Sequence, residues 1–528
     1  MPQISYHKGG GKITYNHLDW LGGYDTSSAG FDKRKLQNAL AFVENVDPIR
    51  VLGYLGLGSD PGSATDVASI NAYLRNAVMQ GDEAYAISGG DTVQKIGTLT
   101  GNGAVNTTAP FPHTIDHGHS NETGLDIVNY YNGATQKAFY SFKDDTDWDI
   151  GAYNYTTDSF DDDFMSTVPA DAADFAAIIA DGKDAPHPLQ VGDDDVLYMG
   201  DRNMIHAYDG QVGGGGTFYE AVLTLPVGWF ITGMCKMKGP NLAIAAYYSS
   251  SGSATASTFN KGEAKVWVWN YLDLDPEDTY DLQDNYVSDI FPYRGTIAAF
   301  TSGRRAITQS GQYKLQLLRG TEFEIEQAWN EQGIPIRGGS EVLDNDIYFT
   351  AGSKIFSYTR IKEADKFIFN ILSSMDGSTS GMCQFFTTLK RAHVSSGSTT
   401  SGGLQSFNFE VGGGYRSAGS ADGEVVFPKS VSDKRCRLVR VAVTFAAPIS
   451  SAGRNFILNT RLDGTSVATI TGVETFTVLK QEVRLNADGT DLGDFNSLQP
   501  AMVWTTGSGS STCPTVDSIE YEFEYINN

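Results

Sequence analysis

Cysteine is scarce in this chain of 528 residues, and the four present, Cys235, Cys383, Cys436 and Cys513, stand far apart. That spacing forms neither the close pairs of a zinc site nor a Cys-x-x-Cys redox motif, so the thiols read as reduced and part-buried. Charge is sparse as well, at 19% of residues, and cations are the scarcer sign: 38 Lys and Arg stand against 63 Asp and Glu, for a formal net charge of −25. A protein that grips nucleic acid through phosphates needs clustered Lys and Arg, so that class is excluded, and an anionic membrane would repel the chain. No run of eighteen apolar residues occurs, and residues 1–8 lack the apolar core of an export signal. The expectation is a protein without a membrane anchor, made in a reducing cytoplasm. Long runs rich in Ala, Leu, Glu and Lys are also missing. Only short helical candidates remain, at 66–80 and 170–180.

What the chain has in quantity is glycine, at 58 residues, with 26 Tyr and 28 Phe. This is the profile of many short strands joined by tight turns. One pattern recurs: an aromatic-containing apolar strand, a Gly, Asp or Asn turn, then a second alternating strand. It is clearest at 83–97, 196–210, 296–308 and 346–358, with weaker copies near 138 and 242. Tyr85, Phe139, Tyr198, Ile244, Ala298 and Tyr348 mark six units spaced by about fifty residues, a period within the range of propeller blades. One such unit cannot bury its apolar face alone, whereas units packed around an axis bury both faces. Residues 50–57 could supply part of a seventh. The expected fold is therefore all-β, a six- or seven-bladed β-propeller-like array over 50–372 after an N-terminal arm or assembly segment, 1–49. Residues 373–403, rich in Ser, Gly and Thr, read as a linker. The strand pattern over 404–528, with turns such as Asp463-Gly464, reads as a C-terminal antiparallel β-sandwich.

The motifs of nucleotide and protease chemistry are missing. No Gly-rich loop opens a helix, and neither a His-Glu-x-x-His helix nor a Gly-x-Ser-x-Gly elbow occurs. His113, Asp116, His117 and His119 could chelate a transition metal if their loop closed over one ion, but a hydrogen-bonded surface loop is the expected structure. Asp145, Asp147 and Asp149 alternate as in a calcium loop, yet Gly151 comes one residue late and no Glu holds the bidentate position, so a solvated turn is expected. The other acidic clusters, 161–163 and 193–195, read as solvated loops. Propellers also host glycoside hydrolases, in which two carboxylates flank the sugar bond. Here nothing selects one pair of acids over another, and the nearest string to a sialidase-type box, 374–379, has the wrong spacing and no Trp. No catalytic, cofactor or metal residues are therefore assigned.

Tyr15 to Thr26, with its Leu21-Gly22-Gly23-Tyr24 element, then Ala41 to Pro48 with Asn45-Val46-Asp47, resemble the opening of tailed-bacteriophage virion structural proteins of the propeller tail nozzle or tail tubular type. Pro514 to Glu522 is similar to the closing strand of such proteins. The resemblance implies a non-enzymatic virion protein assembled in the host cytoplasm, forming a homo-oligomeric ring with other tail or neck proteins. It also implies that DNA passes during ejection without specific binding. Two alternatives stay open: a carbohydrate-binding or carbohydrate-cleaving propeller, and a peripheral tail or capsid spike that binds a host receptor.

Overall fold

Apolar runs of five to seven residues that admit no exposed position mark strands covered on both faces, and in the computed structural model such strands sit second in a series of four-stranded sheets. The described residues are 3–7, 10–16, 42–44, 46–47, 56–57, 65–66, 74–81, 83–89, 92–96, 110–116, 118, 122–132, 135–210, 215–249, 263–303, 313–329, 337–343, 346–351, 354–361, 366–374, 383–388, 391–398, 401–407, 423–427, 430–445, 455–473, 480–484, 494–505 and 515–526. The chain divides into two units. One comprises Ser63–Ser353 with Gly377–Ser406, the other Met1–Gly62, Lys354–Asp376 and Phe407–Asn528.

The first unit is a five-blade propeller arrangement, each blade an antiparallel meander of four consecutive strands. Blade 1 comprises Leu74–Gln80, Glu83–Ser88, Thr92–Ile96 and His113–Thr114. Blade 2 comprises Thr123–Asn132, Thr135–Lys143, Trp148–Asn154 and Ser159–Asp161. Leu189–Val191, Leu197–Asp201, Met204–Asp209 and Thr217–Thr224 form blade 3. Trp229–Lys236, Leu242–Tyr248, Ala264–Trp269 and Asp278–Asp281 form blade 4. Tyr286–Tyr293, Thr296–Ser302, Tyr313–Arg319 and Glu322–Trp329 form blade 5. The marker residues Tyr85, Phe139, Tyr198, Ile244 and Ala298 each lie on the second strand of a blade.

The expected six or seven blades are thus corrected to five. The sixth marker, Tyr348, lies on the second strand of a further four-stranded sheet, in the order Ser340–Leu343, Asp346–Ala351, Lys354–Ile361, Lys366–Ser374, of which only the first two strands fall in this unit. Of residues 50–57 only Gly56–Leu57 lies among the described residues, paired with Val46–Asp47. The segment 373–403 was expected as a linker, and its described residues include strands. It carries Cys383–Thr388 and Arg391–Ser398, which with Ser401–Phe407 and the distant Thr65–Asp66 make a further four-stranded sheet. Ser and Thr are adequate strand residues wherever neighbours supply the packing, which composition alone does not show. Of the two helical candidates, 170–180 contains Ala172–Ile178, while 74–80 is the first strand of blade 1.

Cores form between blades. Tyr85, Ile87, Ile127 and Tyr140 join blades 1 and 2, and Tyr130, Phe139, Leu197 and Tyr208 join blades 2 and 3. The connection between those latter blades adds Phe164 and Phe175 from the short helices Phe164–Thr167 and Ala172–Ile178. Trp229, Ile244, Trp267 and Trp269 pack against blade 3, and Phe230, Val266, Val287 and Ile297 join blades 4 and 5. Each such large side chain contributes about 1.5–3 kcal/mol by leaving water. First strands of successive blades lie side by side, while fourth strands such as Asp278–Asp281 are largely exposed, so the first strands surround an axis.

The second unit holds a ten-stranded antiparallel sheet in the order Gln3–His7, Gly10–Asn16, Val516–Tyr525, Ser430–Phe445, Asp494–Thr505, Gly423–Val426, Phe42–Glu44. Asn455–Leu462 pairs Asp494–Thr505 and Thr465–Val473, and Lys480–Arg484 pairs Ser430–Phe445. Gly10–Asn16 pairs residue by residue with the last strand, from Gly10 opposite Glu524 to Asn16 opposite Ser518, and Tyr15 is buried edge-on against Phe427 and Tyr521.

Candidate functional site

In blades 1, 2, 4 and 5 the axial strand carries a register shift near its start, between Leu74 and Asn76, Gly124 and Asp126, Ile231 and Gly233, and Val287 and Asp289. A bulge adds one unpaired residue and re-aims its neighbours. The residue after the bulge is Asn or Asp in three blades, and its side chain caps the next backbone N–H. Asn76 Oδ1 accepts from Ala77 at 2.8 Å, Asp126 Oδ1 from Ile127 at 2.9 Å and Asp289 Oδ1 from Ile290 at 2.9 Å. Blade 4 has Gly233 there, where a Cβ would lie 3.2 Å from the Asp289 carboxylate.

The bulged residues Arg75, Thr232 and Ser288 line an axial pocket of about 110 Å³, together with Asp126, His187 and Arg337. Arg337, just before the hairpin strand Ser340–Leu343, reaches four blades with one side chain. Its Nε donates to Asp126 of blade 2 and one terminal nitrogen donates to the Leu189 carbonyl of blade 3 at 2.5 Å. The other donates to the Met234 carbonyl of blade 4 at 3.1 Å and lies 3.6 Å from Asp289 of blade 5. Asp126 also accepts from the Asn76 amide of blade 1 at 2.5 Å and from the Leu189 N–H at 2.8 Å. Gly338, at φ +77°, makes this approach feasible, because a Cβ there would sit 2.6 Å from Asn76 Oδ1.

The electrostatics follow from two carboxylates facing one guanidinium. Burial pushes the Asp289 carboxyl up to about 7; Arg337 opposes the rise and Asp126 adds to it. Burial works against the Arg337 cation, but Asp126 and Asp289 outweigh it and raise its pKa. His187, stacked on Trp148 at 3.7 Å, has its pKa pushed down to about 4 by burial, so its ring is neutral at pH 7. Its nitrogens face the Gly200 and Gly182 carbonyls at 3.1 and 2.9 Å. A part-buried guanidinium with planar, fixed donors suits bracing of this kind, since each of its three nitrogens finds a separate acceptor.

The residues singled out in the sequence lie elsewhere. His113 Nε2 faces the Asp162 carboxylate at 2.9 and 3.0 Å, and its ring stacks on Phe160 at 3.8 Å. Asp162 also accepts from Tyr140 and from the Asp116 N–H at 3.0 Å. Burial disfavours its charge, but those bonds outweigh burial and hold the carboxyl below its usual range. His117 and His119 lie outside the described residues. In the Asp145–Asp149 segment Asp144 Oδ1 caps the turn, accepting from Thr146 at 2.5 Å and Asp147 at 2.9 Å, while Asp149 is buried in its strand and accepts from Ile150 at 2.6 Å. Among the described residues no group of three or more His, Cys, Asp or Glu is placed to hold a metal ion. Cys235 and Cys436 are free and buried, and burial pushes both thiols up; Cys383 and Cys513 have no described side chains.

Sequence reasoning missed Arg337, Asp126 and Asp289. The available signal was an Asx-apolar pair, Asn76-Ala77, Asp126-Ile127 and Asp289-Ile290, recurring before the markers Tyr85, Phe139 and Ala298. Compared with models of known protein families and with curated proteins, the chain matches none.

Proposed function

We propose that the chain is a non-enzymatic virion structural protein, a phage tail component of the nozzle or tube type that forms part of the DNA ejection conduit. The observation that carries this reading is the use of the propeller axis. The Arg337 guanidinium, one of two that line the axial pocket, is spent on contacts to four blades, as a load-carrying scaffold requires. Acidity supports the same role. The chain carries a formal net charge of −25, and like charge on a conduit wall keeps a polyanion from sticking. In this reading identical subunits close a ring through heterologous contacts, alongside other tail or neck proteins, and the C-terminal strands fold over as a sandwich.

A reconstruction of the particle tests it. The protein is expected on the tail axis with acidic loops toward the lumen. A position off the axis, or a basic axial surface, would point instead to a receptor-binding spike. Turnover of a polysaccharide panel, abolished by one carboxylate substitution, would sink the non-enzymatic assignment.

A further inference from the structure

Leu272 and Leu274 are 87% and 83% exposed at the tip joining Ala264–Trp269 to Asp278–Asp281 in blade 4. A singly exposed apolar residue needs no explanation, but two at alternate positions on one fixed tip do. The tip is held from within. Asn270 Oδ1 accepts from the Leu272 and Asp273 N–H groups, each at 3.0 Å, and its amide donates to Asp273 at 2.6 Å and Glu277 at 2.7 Å. Trp269 Nε1 donates to the Asp273 carbonyl at 2.6 Å. Tyr271, at φ +68°, turns its ring inward onto Tyr198 at 5.2 Å, which leaves both leucines pointing to solvent. A tip ordered before it meets anything loses little conformational entropy on binding, the property of an anchor residue.

Charge selects the occupant. Asp273, Asp275, Glu277 and Asp278 surround the leucines, and the Asp193–Asp195 turn of blade 3 packs alongside, where a Cβ on Gly192 would lie 3.1 Å from the Tyr271 ring. Tyr198 hydroxyl, which donates to Asp194 at 2.6 Å, ties the two loops through the same aromatic pair. A second copy of a chain with net charge −25 would meet this surface with like charge. We propose that the Leu272–Leu274 tip docks into an apolar cleft, rimmed by Lys and Arg, on a different protein. The leucines supply the contact area, and the carboxylates steer the approach and exclude acidic partners. The surface stands whatever the setting of the chain.

The full chain should be titrated into a fluorescein-labelled amphipathic fourteen-residue peptide of Leu and Lys, read by anisotropy at two salt concentrations. Leu272→Ser with Leu274→Ser is expected to weaken binding about tenfold or more, and Asp195→Asn with Asp275→Asn to weaken it several-fold while flattening the salt dependence. Val227→Ser, at another exposed apolar residue, is expected to leave it unchanged. Equal losses in the leucine and valine variants, no loss in the leucine variant, or no binding by the parent chain would overturn the proposal. So would concentration-dependent self-association in sedimentation that the leucine variant abolishes, since the occupant would then be a second copy. If the serine variant melts early, Leu272→Ala with Leu274→Ala gives the same comparison.

Discussion

The propeller and the ten-stranded sheet are both antiparallel β-structure, yet they are assembled by opposite rules. Each blade is made of four strands adjacent in sequence, so its hydrogen bonds close over short loops. The sheet joins the first strands of the chain to the last, Gly10–Asn16 to Val516–Tyr525. Local pairing leaves a period in the sequence, whereas end-to-end pairing leaves none and must meet the entropy of a very long loop before it stabilises anything. The propeller adds a non-local element of its own in Arg337, which reaches back to Asp126 and joins strands that are otherwise successive and independent.

The sharpest way to break this contrast is to delete residues 1–16. The loss exposes the edge of Val516–Tyr525 and the faces of Phe427 and Tyr521 that cover Tyr15. Calorimetry is expected to show the transition of the sheet unit lost or strongly lowered while the propeller transition persists. Loss of both transitions together would mean the two units do not melt separately.

Next in size is Arg337→Met. It leaves Asp126 and Asp289 buried without their cation, for an expected loss of about 3–5 kcal/mol in denaturant titrations of the propeller. A loss under about 1 kcal/mol would show that the axial brace is not needed.

The pH dependence is smaller. The Asp289 carboxyl is raised from its ordinary range to about 7, so between about pH 4 and 7 the folded protein binds more protons at this site than the unfolded chain. Stability from this site is therefore greatest below the unfolded pKa, falls as pH rises through about 7, and levels off above it. Asp289→Asn is expected to remove that fall, a difference on the order of 1–3 kcal/mol between pH 4 and 8. An unchanged slope in the variant would place the titration elsewhere. The smallest effect belongs to the sheet unit, where Arg461 lies 3.6 Å from Glu424 with both side chains over a third exposed. Arg461→Ala is expected to cost under about 0.5 kcal/mol, vanishing in salt, against the loss at Arg337.

How far the sequence reached follows the same division. All six markers fall on the second strand of a four-stranded sheet, because those strands are covered on both faces and carry apolar runs, and five of these sheets are the blades. Residues 66–80 misled because Leu74–Gln80 mixes polar and apolar residues, and a bulge at Arg75 breaks its alternation. His113 drew attention as one of three closely spaced histidines, but its partner Asp162 comes from the far end of the next blade and turns the pair into a structural contact.

Strand identity, the fifty-residue repeat and the excess of acid were set by the sequence alone, since burial on both faces and tight turns leave a local signature in residue type. The tertiary structure alone decided the number of blades, the union of the chain's two ends and the meeting of Arg337 with Asp126 and Asp289. Those features depend on which distant surfaces close against each other, and a buried ion brace acquires its energy only from that closure, because in the unfolded chain each of its charges is separately solvated.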